Sequence, residues 1–249
     1  MTLYQLSYIG NISFHYYTFL FYLLKYVISF LLFDNICFII NRMQNLFLSR
    51  VLSVFTGSLF IATIGAYFSQ YVPSGLFLIL IIIEFILIFA INGVKNNPTL
   101  APIFLFLFTF ISGLTVGPLI FIFIHANEGY IVMQALGITT FIFILLTFIV
   151  IFFKINLTHS KIGIFLFIAL IGIIIAGIVN IFLGSPILQF YISAAVVVIF
   201  SGYILYDISN IINNPNMTNE YIAALSLYLD FVNIFIALLE ILGFLEGKN

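Results

Sequence analysis

The sequence predicts an all-α membrane protein, a bundle of seven transmembrane helices preceded by an extra hydrophobic helix at the N-terminus. The first observation is composition: 64% of the residues are hydrophobic and only 6% are charged, whereas soluble domains carry about 25% charged residues. So few charges cannot cover a water-soluble fold, and the chain is therefore expected to lie in a lipid bilayer. The second observation is spacing, because polar, proline or glycine breaks leave apolar segments of roughly 20 residues, the length that spans a bilayer.

The seven spans follow one another from residue 51 to residue 244, and none is long enough to form a domain of its own. We expect them to form a single domain over residues 46–249, after an N-terminal segment of residues 1–45. The predicted spans are residues 51–70, 76–92, 100–124, 131–153, 162–183, 187–212 and 220–244.

The extra N-terminal helix is predicted within residues 14–40, which are apolar and aromatic but are interrupted by Lys25, Asp34 and Asn35. Two alternatives remain open for it, an eighth span or a helix that lies in the membrane interface. Residues 1–13 lack a basic region and a small-residue cleavage site, so we expect no cleavable signal peptide.

The orientation of the bundle follows from its basic residues. Arg50 precedes the first predicted span and Lys95 lies in the second connection between spans. Lys154 and Lys161 lie at the two ends of the fourth connection. All four fall on one side of a seven-span arrangement. Because cytoplasmic connections of membrane proteins are enriched in Lys and Arg, this side is predicted to face the cytoplasm.

The last two spans each carry one aspartate, Asp207 and Asp230, close to the predicted cytoplasmic side. The spans are antiparallel neighbours, and small side chains such as Gly202 and Ser226 would let them approach closely. Two carboxylates within hydrogen-bonding range share one proton and titrate as a unit. We therefore expect the two aspartates to form a pH-sensor pair that, when deprotonated, can take a cation such as Ca²⁺, which prefers oxygen ligands. The alternative is that each aspartate separately accepts an interhelical hydrogen bond.

Two further charged residues accompany this pair. Glu84 lies at the centre of the second span without a local partner, and an ionisable residue there is functional or paired; we expect it on an ion path. Lys95 follows eleven residues later. It is either a lysine whose ammonium group reaches the interface or a cation that latches the aspartate pair. Glu240, near the other end of the last span, is expected to be interfacial.

A glycine motif lies in the third span, where Gly113 and Gly117 form a G-x-x-x-G followed by Pro118. This pattern is typical of close helix packing with a kink, and a kink that lines or gates a pore is the alternative.

Enzyme chemistry has little support in the sequence. The three histidines are scattered without metal-ligand spacing, there is no nucleophile or phosphate-loop motif, and we expect neither catalysis nor a cofactor. Two aspartates on consecutive spans are also a feature of intramembrane aspartyl proteases. However, the G-x-G-D and the later Pro-Ala-Leu of those enzymes are missing here. The net charge of −1 provides no basic surface for nucleic acid.

The C-terminal run ISAAVVVIFSGYILYDISNII, followed by EYIAALSLYLDFVNIFIALLEILGFL, resembles the signature of the Bax inhibitor-1 family, also called the transmembrane Bax inhibitor motif family. The segments GSLFIATIGAY, SGLTVGPLI and NIFLGSP resemble other helices of that family. The resemblance covers about residues 46 to 245, and the absence of a long polar tail is similar to bacterial members.

This resemblance implies a bundle with the last helix at its centre and a pH-sensitive calcium leak, here across a bacterial inner membrane. It implies that Asp207 and Asp230 are the sensor pair, that Glu84 lies on the ion path, and that these three carboxylates bind Ca²⁺ transiently. The resemblance also places the latch at Lys95. Lysine cannot form the bidentate contact that arginine makes with a carboxylate. Other members of the family bind an ATP-dependent membrane protease, so the alternative is an interaction protein that does not transport ions.

Overall fold

The computed structural model describes residues 46–215 and 219–247, which contain seven long α-helices, two short 3-10 turns and no strand. The predicted all-α membrane fold is confirmed, since each of the seven helices is long and apolar enough to cross a bilayer. The helix predicted within residues 1–45 lies outside the described residues. The helices are α1 (Leu46–Phe68), α2 (Phe77–Val94), α3 (Leu100–His125), α4 (Gly129–Phe153), α5 (Ser160–Leu183), α6 (Pro186–Asn213) and α7 (Glu220–Leu245).

The helix ends follow from local chemistry. Gly184 adopts the left-handed conformation (φ 57°) that ends α5, a position where glycine carries no Cβ penalty. Ser185 then caps α6, because its Oγ accepts the Leu188 N–H at 3.3 Å and Pro186 occupies the first turn. Asn219 caps α7 in the same way, with Oδ1 accepting the Tyr221 N–H at 2.7 Å. These caps satisfy N–H groups that have no partner within the helix.

Helix α1 already includes Leu46, the first residue that the structure describes, five residues before the predicted start at residue 51. Arg50 therefore lies inside the helix rather than before it. Its guanidinium group forms an ion pair with Glu220 at 3.5 Å (Nη1 to Oε2), at the start of α7. A long basic side chain at a helix end can reach water while its stem stays in the interface, which explains why a charge does not end this helix.

The last helix lies at the centre of the bundle, with α1, α3, α4 and α6 packed around it. In an apolar stretch of 18 residues of α7, 67% of the residues are buried, against 11% in the corresponding stretch of α2 and 6% in that of α5. Helix α7 packs against α1, α4 and α6. Helices α2 and α5 accordingly present most of their side chains to lipid.

Helices α1 and α3 approach closely through glycine. A Cβ atom built on Gly113 would collide with the backbone oxygen of Ala62, and one built on Gly117 would collide with the side chain of Ser69. A Cβ atom on Gly65 of α1 would in turn meet the backbone of Phe110. The G-x-x-x-G motif thus lies at the α1–α3 contact, and Pro118 lies inside the continuous helix α3.

Candidate functional site

The two aspartates lie on neighbouring antiparallel helices near the basic end of the bundle, defined here as the end that carries Arg50, Lys95 and Lys161. Asp207 is six residues before the end of α6, or about 9 Å inside it at 1.5 Å per residue. Asp230 is ten residues after the start of α7, or about 15 Å inside it. Both carboxylates therefore lie within the apolar part of the bundle.

Helices α6 and α7 pack against each other and carry one aspartate each. Asp230 is 3% exposed, and the charge of Asp207 acts on it electrostatically. That the two carboxylates share one proton stays a prediction. The hydroxyl of Ser226, on α7, lies within hydrogen-bonding reach of Asp207. Gly202 faces Leu166 of α5 rather than α7. Of the two small residues that were expected to let α6 and α7 approach, Ser226 is therefore the one that lies near the aspartates.

One oxygen of the pair lacks a hydrogen bond. Asp230 Oδ2 is buried and has no hydrogen-bond partner within residues 46–215 and 219–247. A buried polar atom without a partner is costly, and an ionised carboxylate in such a place is more costly still. A shared proton or a bound cation would each relieve this cost, because either neutralises part of the charge. The geometry is therefore suited to binding one or the other.

Glu84 lies at a similar depth, ten residues before the end of α2, or about 15 Å inside it. Thr115 Oγ1 on α3 donates a hydrogen bond to Glu84 Oε2 at 3.1 Å. Ser112, one turn earlier, lies within hydrogen-bonding reach of both Glu84 and the buried Tyr228 of α7. Glu84 is thereby linked through α3 to the central helix, two residues from Asp230.

A small cavity of about 80 Å³ lies beside these hydroxyl groups and is lined by Ser112, Tyr228, Thr63, Thr140 and apolar side chains of α1, α3, α4 and α7. A cavity needs roughly 10–15 Å³ of such volume to hold one water molecule. Its volume would admit several waters, but its lining is mostly apolar and does not include Glu84, Asp207 or Asp230. Because a buried water needs two to four polar partners, the cavity by itself does not form an ion path.

Lys95 lies at the basic end with an exposed side chain. Within the described part of the chain, Arg50 and Glu220 form an ion pair, whereas the Lys95 ammonium group forms none with either aspartate. The backbone oxygen of Lys95 instead accepts a hydrogen bond from Asn219 Nδ2 at 2.7 Å. The latch therefore stays a prediction, and it requires a different position of the lysine side chain.

A polar cluster that the sequence did not reveal surrounds Glu240 at the opposite end of the bundle, where Glu240 is predicted to be interfacial. Glu240 Oε2 accepts hydrogen bonds from Gln189 Nε2 at 2.9 Å and from Ser193 Oγ at 2.5 Å. Asn180 Nδ2 in turn donates to Gln189 Oε1 at 2.9 Å. This cluster borders a cavity of about 390 Å³. The sequence feature that could have indicated this cluster is the pair Gln189 and Ser193. These residues lie one turn apart near the start of α6, at the depth of Glu240.

No group of three or more His, Cys, Asp or Glu side chains is placed to bind a metal ion among the residues described. Asp207, Asp230 and Glu84 thus do not form one cluster of three carboxylates. Because Ca²⁺ takes six to eight oxygen ligands, an ion at the pair or at Glu84 would keep much of its water.

The fold and these buried acids define the class of the protein, a multi-pass helical membrane protein with ionisable side chains in its interior. Residues 44–247 match the family model described as Inhibitor of apoptosis-promoting Bax1. The chain therefore belongs to the Bax inhibitor-1 family, as the resemblance of its last two helices indicated.

Relatives in the family come from bacteria and from a eukaryote. An uncharacterized protein of Helicobacter pylori is 38% identical over 82% of this chain and 88% of its own length. An uncharacterized protein of Campylobacter jejuni is 38% identical over 80% of this chain and 88% of its own length. Bax inhibitor 1 of Schizosaccharomyces pombe is 32% identical over 82% of this chain and 78% of its own length.

Proposed function

We propose that the protein is a pH-sensitive calcium leak of a bacterial inner membrane, controlled by the Asp207–Asp230 pair. The observation that carries this proposal is the pair itself: two interacting carboxylates inside a membrane bundle, one of which has a buried oxygen without a hydrogen bond. Such groups in a membrane interior are costly and mark proton or ion sites. Membership of the Bax inhibitor-1 family supports the same assignment.

In this proposal protons and Ca²⁺ compete for the pair. When the pair holds a proton, or when Lys95 latches it, the basic end of α2 closes the cytoplasmic exit. When the proton leaves, the pair attracts a cation, and the ion passes between Glu84 and the pair through the interior of the bundle. Glu84 supplies an oxygen ligand along this path, and the ion binds only transiently because it must leave again.

The test is calcium entry into proteoliposomes that contain the purified protein and an enclosed fluorescent indicator. We expect entry down the Ca²⁺ gradient that depends on pH and on Asp207, with protein-free liposomes and an Asp207→Asn variant as controls. A rate equal to that of protein-free liposomes at every pH would contradict the proposal. Recovery of an ATP-dependent membrane protease with the tagged, non-conducting protein would then favour the alternative, an interaction protein without transport.

A further inference from the structure

We propose that Asn219 is a positioning residue that holds the basic end of α2 against the start of the central helix. This inference rests on the proposed function, since α2 is the helix that closes the cytoplasmic exit. Its own support is a single side-chain amide whose two ends bind two different helices.

Asn219 uses both of its polar atoms. Its Oδ1 accepts the Tyr221 N–H at 2.7 Å and so caps α7. Its Nδ2 donates to the backbone oxygen of Lys95 at 2.7 Å, across 124 positions of sequence. Lys95 is the C-cap residue of α2. Carbonyl groups at this end of a helix have no N–H partner within the helix. One amide thus satisfies an N–H at the start of α7 and a carbonyl at the end of α2.

Helix α2 depends on such contacts because little of it is buried. Its buried side chains are Leu87 and Ile91, both in its second half, and it packs chiefly against α3. Polar anchors join it to the bundle at two levels, Thr115 with Glu84 in the middle of the membrane and Asn219 with Lys95 at the basic end. A helix with so few fully buried side chains shifts more easily when one of its polar contacts is lost.

The contact also fixes the backbone of Lys95 at the mouth of the bundle. While it is present, it opposes separation of the end of α2 from the start of α7, and in the proposed function this keeps the path from Glu84 to the cytoplasm closed. Arg50 and Glu220 form their ion pair at the same level, so the start of α7 is held from α1 as well. Asn219 therefore controls the position of α2 without contact with the ion.

The experiment uses the full-length chain in lipid nanodiscs, with Cys37→Ser and spin labels on Gly93→Cys and Lys161→Cys. Gly93 is exposed at the end of α2 with open space around it, and Lys161 is exposed at the start of α5 on the same side of the membrane. The distance distribution between the labels is then measured in Asn219→Asp and Asn219→Ser. Both substitutions keep an oxygen that caps α7, but neither provides the Nδ2–H group that reaches Lys95.

We expect both variants to shift or broaden the distribution relative to the parent, whereas Asn213→Asp leaves it unchanged. Asn213 is the matched control because it lies at the same end of the bundle and its amide bonds the Ser209 oxygen of its own helix. In proteoliposomes both Asn219 variants should raise the calcium leak by roughly fivefold, the population shift for the loss of one typical hydrogen bond.

The two readouts separate the two proposals. Unchanged distributions in both Asn219 variants would overturn the positioning role, whether or not the protein conducts Ca²⁺. A shift in Asn219→Asp alone would also overturn it, since the added charge would then be the cause. A shift in both variants without calcium entry in the parent protein would support the positioning role and contradict the calcium leak.

Discussion

The two polar clusters of the bundle hold carboxylates under opposite conditions. At the end of the bundle opposite the basic end, in a group of side chains that we call the outer cluster, Glu240 Oε2 accepts hydrogen bonds from Gln189 and Ser193. Towards the basic end, Asp230 Oδ2 accepts none from any residue that the structure describes. Buried polar atoms are normally hydrogen-bonded, and a fully bonded cluster stabilises one arrangement of the helices. The comparison indicates that Glu240 fastens α6 to α7, whereas the aspartate pair is kept for exchange of a proton or a cation.

Removal of Glu240 should have the largest effect on stability. Glu240→Leu is expected to lower the free energy of unfolding by about 2 kcal/mol, because the donors Gln189 and Ser193 lose their acceptor. Thermal or denaturant unfolding in detergent micelles measures this change. Glu246→Leu is the control, since Glu246 is exposed beyond the end of α7. Equal stability of the two variants would mean that the outer cluster does not fasten the helices.

Thr115→Val should have a smaller effect, about 1 kcal/mol, because one hydrogen bond to Glu84 is lost. The Thr115 hydroxyl is also within 3.0 Å of the Ser112 backbone oxygen, and this second acceptor limits the effect. Thr139→Val is the matched control, since its hydroxyl bonds the Ala135 oxygen of its own helix at 2.8 Å. If the control variant unfolds as readily as Thr115→Val, Glu84 does not anchor α2.

Asp230→Asn should change the free energy of unfolding by less than about 1 kcal/mol, and the change should not be a loss. The substitution keeps the shape of the side chain and removes a charge whose second oxygen has no hydrogen bond, so little favourable interaction disappears. Glu240→Gln is the matched change in the outer cluster and should be destabilising, because its hydrogen bonds lose their charge assistance. The same unfolding assay compares the two. A larger loss in Asp230→Asn would reverse the comparison between the clusters.

Arg50→Ala should have the smallest effect, below about 0.5 kcal/mol, as expected for an exposed ion pair. The Arg50 side chain is 65% exposed and that of Glu220 is 25% exposed. The difference from the parent protein should shrink further in high salt, which screens exposed charges. Unfolding of Arg50→Ala beside Lys161→Ala, at low and high salt, measures it. A loss above 1 kcal/mol that ignores salt would show that the pair is an essential clamp of the basic end.

The fold could be predicted from the sequence because length and hydropathy determine where a membrane helix can lie. All seven helices were predicted, with end positions correct within a few residues. The exception was α1, which already includes residues 46–50, because a stretch that carries Arg50 looks like a boundary in a hydropathy pattern. The aspartates could also be singled out, since a charge such as Asp230 in an apolar helix is conspicuous.

The polar contacts between distant helices could not be predicted in this way. The link between Asn219 and Lys95 joins residues 124 positions apart, and helix spacing along the chain does not determine which side chains meet. Glu240 was missed for a related reason. Its partners Gln189 and Ser193 are ordinary polar residues near a helix end, and only the packing of α6 on α7 brings them to the carboxylate.

The central claim is that the aspartate pair senses protons and controls the passage of Ca²⁺. The most direct test is the initial rate of calcium entry into proteoliposomes across a pH series, with the parent protein beside Asp230→Asn. An asparagine cannot exchange a proton, so the parent rate should change with pH and the variant rate should stay constant. An unaltered pH profile in Asp230→Asn would contradict the claim, because some other group would then be the sensor.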